Sequence, residues 1–164
     1  MNLEYFIKKE ANYNLWANKR MAEWLLQKPS KLMKKEVPSS YSSLFTTVLH
    51  ILDTQRFWLS LITQSELLYF RNAYESSSEE LLNEWIEQSG SFANHIKSLS
   101  NDNLLKECEI NTEWTRGVKP VFEFVHHCLN HSSYHRGQLV TIARNAGILD
   151  PPNTDYNFFD PLQD

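Results

Sequence analysis

The chain has few glycines and few cysteines: four and two in 164 residues. So little glycine, beside a high aromatic share of five Trp, seven Tyr and nine Phe, fits a compact helical bundle. Two cysteines, Cys108 and Cys128, make no disulfide framework. There is no basic excess either. Sixteen Lys and Arg against twenty Asp and Glu give a formal net charge of −4, with the signs mixed along the chain. That removes the basic footprint expected of a nucleic-acid binder. No apolar run approaches the ~20 residues of a membrane span. The first residues, Met1-Asn2-Leu3-Glu4-Tyr5-Phe6, lack the basic and apolar blocks of a signal peptide. The expectation is a soluble cytoplasmic protein. Internal repeats, low-complexity tracts and linkers are missing, so residues 1–164 read as one domain, long enough for a core of its own.

Four long helical patterns are present. The first runs from about Leu3 to Gln27 and ends before Pro29. Its apolar residues, among them Ile7, Ala11, Trp16, Met21 and Leu25, recur at helical spacing. Asn14 and Asn18 in mid-helix cost propensity. They are expected to hydrogen-bond to neighbouring helices or water, or to line a pocket with Tyr13. Residues 28–40 are a connection, and Ser42 or Ser43 can cap a second helix running to about Thr63. Residues 64–76, with Tyr69, Phe70 and Tyr74, are a long connection. The third helix opens on a capping box, Ser77-Ser78-Glu79-Glu80, and buries Leu81, Trp85, Phe92 and Ile96, with His95 exposed. Residues 100–119 lose the period. Cys108–Asn111 and Trp114–Val118 suggest a small hairpin. The fourth helix lies between Pro120 and Gly147. The aromatic tail after Asp150 needs a surface to cover, on one end of the bundle or on a partner chain.

The fourth helix carries the chemistry. At ~100° per residue with His131 at zero, His135 falls at about 40°, Gln138 near −20°, Cys128 near 60° and His127 near −40°. His126 points nearly opposite. The stripe is apolar at its ends, with Phe124 and Ile142, and imidazole in its middle. Histidines at i and i+4 can both reach one metal ion. The glutamate of the metalloprotease version is missing, since Ser132, Ser133 and Tyr134 intervene. On the second helix His50 shares a half-polar face with Thr46, Thr47, Asp53, Thr54, Phe57 and Leu61. That face suits a pocket wall, or a single core histidine satisfied by a threonine hydroxyl. Arg136 lies off the stripe and is expected to anchor a neighbouring helix or subunit through a carboxylate. Gly137 costs about 1 kcal/mol in a helix relative to Ala, which close approach of another helix or the tail would explain.

Four pieces occur together: Tyr13-Asn-x-Trp-Ala-Asn18, His50 followed by Arg56-Phe57-Trp58, His127-x-x-x-His131-x-x-x-His135-Arg-Gly-Gln138, and Asp155-Tyr156. In this order the chain resembles the DinB-like family of four-helix metalloproteins, which includes thiol-dependent S-transferases and maleylpyruvate isomerase. The resemblance implies an all-α, up-down-down-up four-helix bundle with a long crossover between the second and third helices, often a homodimer. It also implies a divalent metal, commonly nickel or zinc, on three histidines: here His50, His131 and His135.

Three neutral imidazoles leave an ion an open position for water or a small-molecule substrate, as in catalytic zinc sites. A fourth protein ligand, Cys128 or Asp53, would close the site and favour a structural or sensing role. His127 is expected beside the site, in its surround or as packing. Asp53, Thr54, Glu123 and Gln138 are candidate acceptors for the far ring nitrogens. No general base stands out beyond His127 and Asp53. The leading expectation is a metal-dependent enzyme that activates a water or a low-molecular-weight thiol, by hydrolysis or thiol transfer. A non-catalytic metal-binding bundle is the second reading. The third, a plain helical interaction protein, requires His50 to lie far from His131 and His135.

Overall fold

A computed structural model describes residues 2–66, 74–113 and 115–160. Tyr69, Phe70 and Trp114 lie outside them. The helices are α1 Leu3–Leu26, α2 Ser30–Met33, α3 Leu44–Thr63, α4 Ser78–Ser98, α5 Asn101–Leu105 and α6 Val121–Ala146. Strands β1, Glu107–Asn111, and β2, Arg116–Pro120, form the expected antiparallel hairpin, with Ile110 opposite Gly117. Pro120 precedes α6 as its cap residue, and Gly147 stops that helix in the left-handed region at φ 100°. Ser43 caps α3 and Ser77 caps α4, each with a reciprocal side-chain bond three residues on. The one-turn helices α2 and α5 fall inside stretches that carry no helical period. Ser100 nucleates α5 by the same reciprocal cap with Asn103.

The four long helices form the bundle. α1 packs on α4 and α6, and α3 packs on the same two, so α1 and α3 lie across the diagonal. The apolar interior divides in two. The first cluster joins the end of α1 (Met21, Leu25), the start of α3 (Leu44, Val48), the start of α4 (Leu81, Trp85) and the end of α6 (Leu139, Ile142). The second joins the start of α1 (Ile7, Ala11), the end of α3 (Phe57, Leu61), the end of α4 (Phe92, Ile96) and the start of α6 (Phe124, Val125). The helix directions are therefore up, down, down, up.

A polar set of buried residues lies at the middle of the bundle. The Arg136 guanidinium, 3% exposed, donates to Asn14 Oδ1 (2.6 Å), Asn18 Oδ1 (2.8 Å) and Ser133 Oγ (2.9 Å). Asn18 Nδ2 in turn donates to Ser89 Oγ at 3.0 Å, and Ser89 lies 3.1 Å from Gln55 Oε1. All four long helices are thus joined by one hydrogen-bonded set. The mid-helix asparagines bond to neighbouring helices as expected. The expected carboxylate for Arg136 is replaced by two amide oxygens on α1, with the Tyr13 ring 5.5 Å from the guanidinium carbon. Neutral acceptors suffice here because a guanidinium is more weakly hydrated than an ammonium and spreads its charge over five donors. Removing either asparagine oxygen would leave a buried charged donor unmet, which costs more than a neutral bond.

The tail packs on α1. Thr154 O accepts from the Tyr13 hydroxyl (2.8 Å), and Phe159 lies against Trp16 with ring centroids 5.7 Å apart. Two expectations fail. His95 is half-buried, its Nε2 is shielded without a hydrogen-bond partner among the described residues, and burial pushes its pKa down. Gly137 is exposed, and a Cβ built on it meets nothing within 4 Å, so close approach does not explain it. An exposed helical glycine in open space only adds freedom to the unfolded chain. Gly137→Ala should therefore raise unfolding free energy by about 0.5–1 kcal/mol, seen as a higher urea midpoint; an unchanged or lower midpoint would contradict the open surroundings.

Candidate metal centre

α3 and α6 run side by side and bring three imidazoles together. His50 Nε2 lies 2.9 Å from His131 Nε2, and His131 Nε2 lies 3.0 Å from His135 Nε2. The three ligand atoms all fall within 4.8 Å of one another. This rules out the interaction-protein reading, which needs His50 far away. His50 is therefore not a lone core histidine.

Protons decide what the cluster can hold. His135 Nδ1 is 2.7 Å from Gln138 Oε1. The Gln138 amide nitrogen lies 3.0 Å from the Tyr134 hydroxyl, which leaves Oε1 facing His135. His135 is therefore the Nδ1–H tautomer, and its Nε2 turns a lone pair into the cluster. His131 Nε2 can donate to one neighbour and not to both. At least one contact in the trio is left without a proton. A cation satisfies all three lone pairs at once. Around a tetrahedral ion with bonds of ~2.0–2.1 Å, nitrogens sit roughly 3.3 Å apart, so the two contacts of His131 need only a few tenths of an ångström of opening.

Electrostatics keep the donors neutral. Burial pushes the His131 pKa down to about 3, helped by repulsion from His135, His50 and His127. Burial also lowers His135, while the bond to Gln138 works the other way. Neutral imidazole is the form that binds metal. His131 Nδ1 is buried without a hydrogen-bond partner among the described residues, whereas Gln138 gives His135 an orienting bond.

Cys128 stands outside the converging group. It is fully buried in the second apolar cluster with Phe124 and Val125, and burial pushes its thiol well above the ordinary range. Asp53, 1% exposed on α3, is not in the group either. Glu123, a candidate acceptor, pairs with Lys119 at 3.1 Å on the surface instead. The His127 ring lies on Trp58 (4.8 Å) and near-parallel to His131 (6.0 Å), a packing place at the edge of the site. His126 points away and meets Asn130.

One neighbour has no counterpart in the sequence reading. Tyr41, in the connection before α3, stacks on His50 with ring centroids 4.3 Å apart and meets the His135 ring edge-on at 5.7 Å. The only signal in the sequence is an aromatic two residues before the cap Ser43, which says nothing of where the connection runs.

Residues 2–163 match the DinB family. The chain belongs to the DinB family. Protein DinB of Bacillus subtilis (strain 168) is 24% identical over 163 residues, covering 94% of this chain and 93% of that protein. A crystal structure of a DinB-like protein from Bacillus cereus ATCC 10987 superposes with a TM-score of 0.71 at 17% identity, covering 87% of this chain and 91% of that one. A second DinB-like protein, from Bacillus subtilis, gives 0.60 at 16% identity, with 92% and 96% covered. The fold of this DinB family member is therefore that of its solved neighbours. No described helix is long and apolar enough to cross a membrane.

The depressed imidazole pKa values set a pH dependence. In the unfolded chain a histidine titrates near 6.5, so below about pH 6.5 the unfolded state takes up protons that folded His131 refuses. Stability of the metal-free protein should be full above that pH and fall as pH drops toward about 3. Urea unfolding at about pH 7.5 and pH 5 should show a lower midpoint at the acid value. Equal midpoints would mean that the cluster is not buried as described.

Proposed function

We propose that His50, His131 and His135 together hold one divalent cation, nickel or zinc, and that the protein is a metal-dependent enzyme acting on a small molecule. The observation that carries this reading is the convergence of three Nε2 atoms from two helices, with one tautomer fixed by Gln138. The donor set fits: three imidazoles suit a borderline-soft divalent ion. A divalent ion held there supplies Lewis acidity to a water or a low-molecular-weight thiol, so the reaction class is hydrolysis or transfer of such a thiol to an electrophile.

The chain's own residues shape the rest. Gln138 keeps the His135 proton on Nδ1 and so keeps Nε2 free to bind. Tyr134 holds the Gln138 amide in the orientation that does this. Burial of His131 keeps it neutral across the physiological range. A closed structural site would draw Cys128 or Asp53 into the set, and neither belongs to the converging group. That difference favours an enzyme over a non-catalytic metal-binding bundle.

Tag-free protein incubated with zinc or nickel and desalted should retain about one ion per chain by elemental analysis. His131→Ala should retain none. A wild-type protein that emerges without metal would overturn the proposal. Loss of the orienting bond in Gln138→Leu should weaken metal affinity by about 10–100-fold in competition with a chelator; an unchanged affinity would remove Gln138 from the site.

A further inference from the structure

We infer that Tyr41 is a specificity-determining residue of the three-histidine site, selecting by size which ligand reaches the ion. This rests on the reading of the trio as a metal centre. Three observations carry it. The Tyr41 ring stacks on His50 (4.3 Å, 23° between planes) and stands edge-on to His135 (5.7 Å, 66°), so it touches ligands from both helices that build the site. It comes from neither of those helices. Residues 38–43 have no regular structure, and Val37 N–H donates to Ser42 O at 2.8 Å, closing the loop just after Tyr41. Val37 is buried in the first apolar cluster, and Ser43 caps α3. The loop is thus pinned on either side of an aromatic ring that is itself only half-buried.

A second aromatic completes the arrangement. The Tyr134 ring meets His135 edge-on at 4.9 Å and is 63% exposed. The two tyrosines touch His135 from different elements, one from the loop and one from α6. A donor atom carried on a small body can reach the trio beside Tyr41. A donor carried on a bulky body must displace that ring, giving up its stacking on His50. The ligand class that follows is compact: water, a small anion or a short thiol. Larger thiols are admitted only to the extent that Tyr41 moves. Pocket contacts of this kind separate ligands by about 10–200-fold.

The test uses cobalt(II)-loaded full-length protein and two thiols with the same donor atom and different bodies, 2-mercaptoethanol and glutathione. Binding of each is read from the thiolate-to-cobalt absorption band. Wild type should favour 2-mercaptoethanol by about tenfold or more, Tyr41→Ala should bring the two within about threefold, and Tyr41→Trp should widen the gap. Each variant is first loaded to one cobalt per chain, so that the two thiols are compared at equal metal occupancy. Unchanged preference in both variants, with one cobalt bound, overturns the role of Tyr41 and leaves the metal centre standing. Failure of the wild type to bind cobalt overturns both. The Tyr41→Trp variant keeps an aromatic on His50, so it remains decisive even where Tyr41→Ala disturbs the loop.

Discussion

Three imidazole nitrogens in a half-buried place, with that of His131 about 3 Å from each of the other two, are the constraint that the rest of this bundle must satisfy. Neutral lone pairs at that spacing repel unless a proton or a cation lies between them. Protonation is opposed by burial, and each added proton would face the others across a few ångströms. The fold therefore maintains three donors placed where a cation could lie between them. Nothing in the apolar clusters requires this. The histidines are imposed on a bundle whose core would pack without them.

What holds them in place is the polar set one residue away. Arg136 follows His135 directly and points to the opposite side, into α1. Its bonds to Asn14 and Asn18 admit one rotational setting and one axial register of α6. Ser89 and Gln55 extend the same set to α4 and α3. Apolar side chains alone tolerate small slides and repacking. Hydrogen bonds to a buried guanidinium do not, since a slide leaves charged donors unmet. The site is thus precise because a polar layer on the other face of the same helix is precise.

Much of this is legible in the sequence. Helical period, serine caps and the Pro120 and Gly147 boundaries place the four helices within a residue or two. The i, i+4 pair on an apolar stripe points to His131 and His135, and family likeness brings in His50. The rest depends on tertiary contacts that no local pattern encodes. A carboxylate is the natural expectation for Arg136 because charge pairing is the common case for a buried cation. Only the docking of α1 reveals two amide oxygens in its place. Close packing is the natural expectation for Gly137 because helix interiors rarely keep glycine without a reason, yet its surroundings are open. His95 has a solvent-facing phase and is nonetheless half-buried. Tyr41 lies in a stretch without period, where sequence gives composition and no direction.

The diagonal placement of α1 and α3 has a kinetic side. The first two long helices, α1 and α3, do not pack on each other, so neither has its partners until α4 and α6 arrive. His50 must wait 81 residues for His131. A nascent chain that has not yet delivered its last long helix carries a single histidine of the trio and a half-built interior. Closure of the site is a contact of long sequence separation, the kind that slows folding. An ion that binds only the finished trio acts on the folded state alone, as a clasp between α3 and α6.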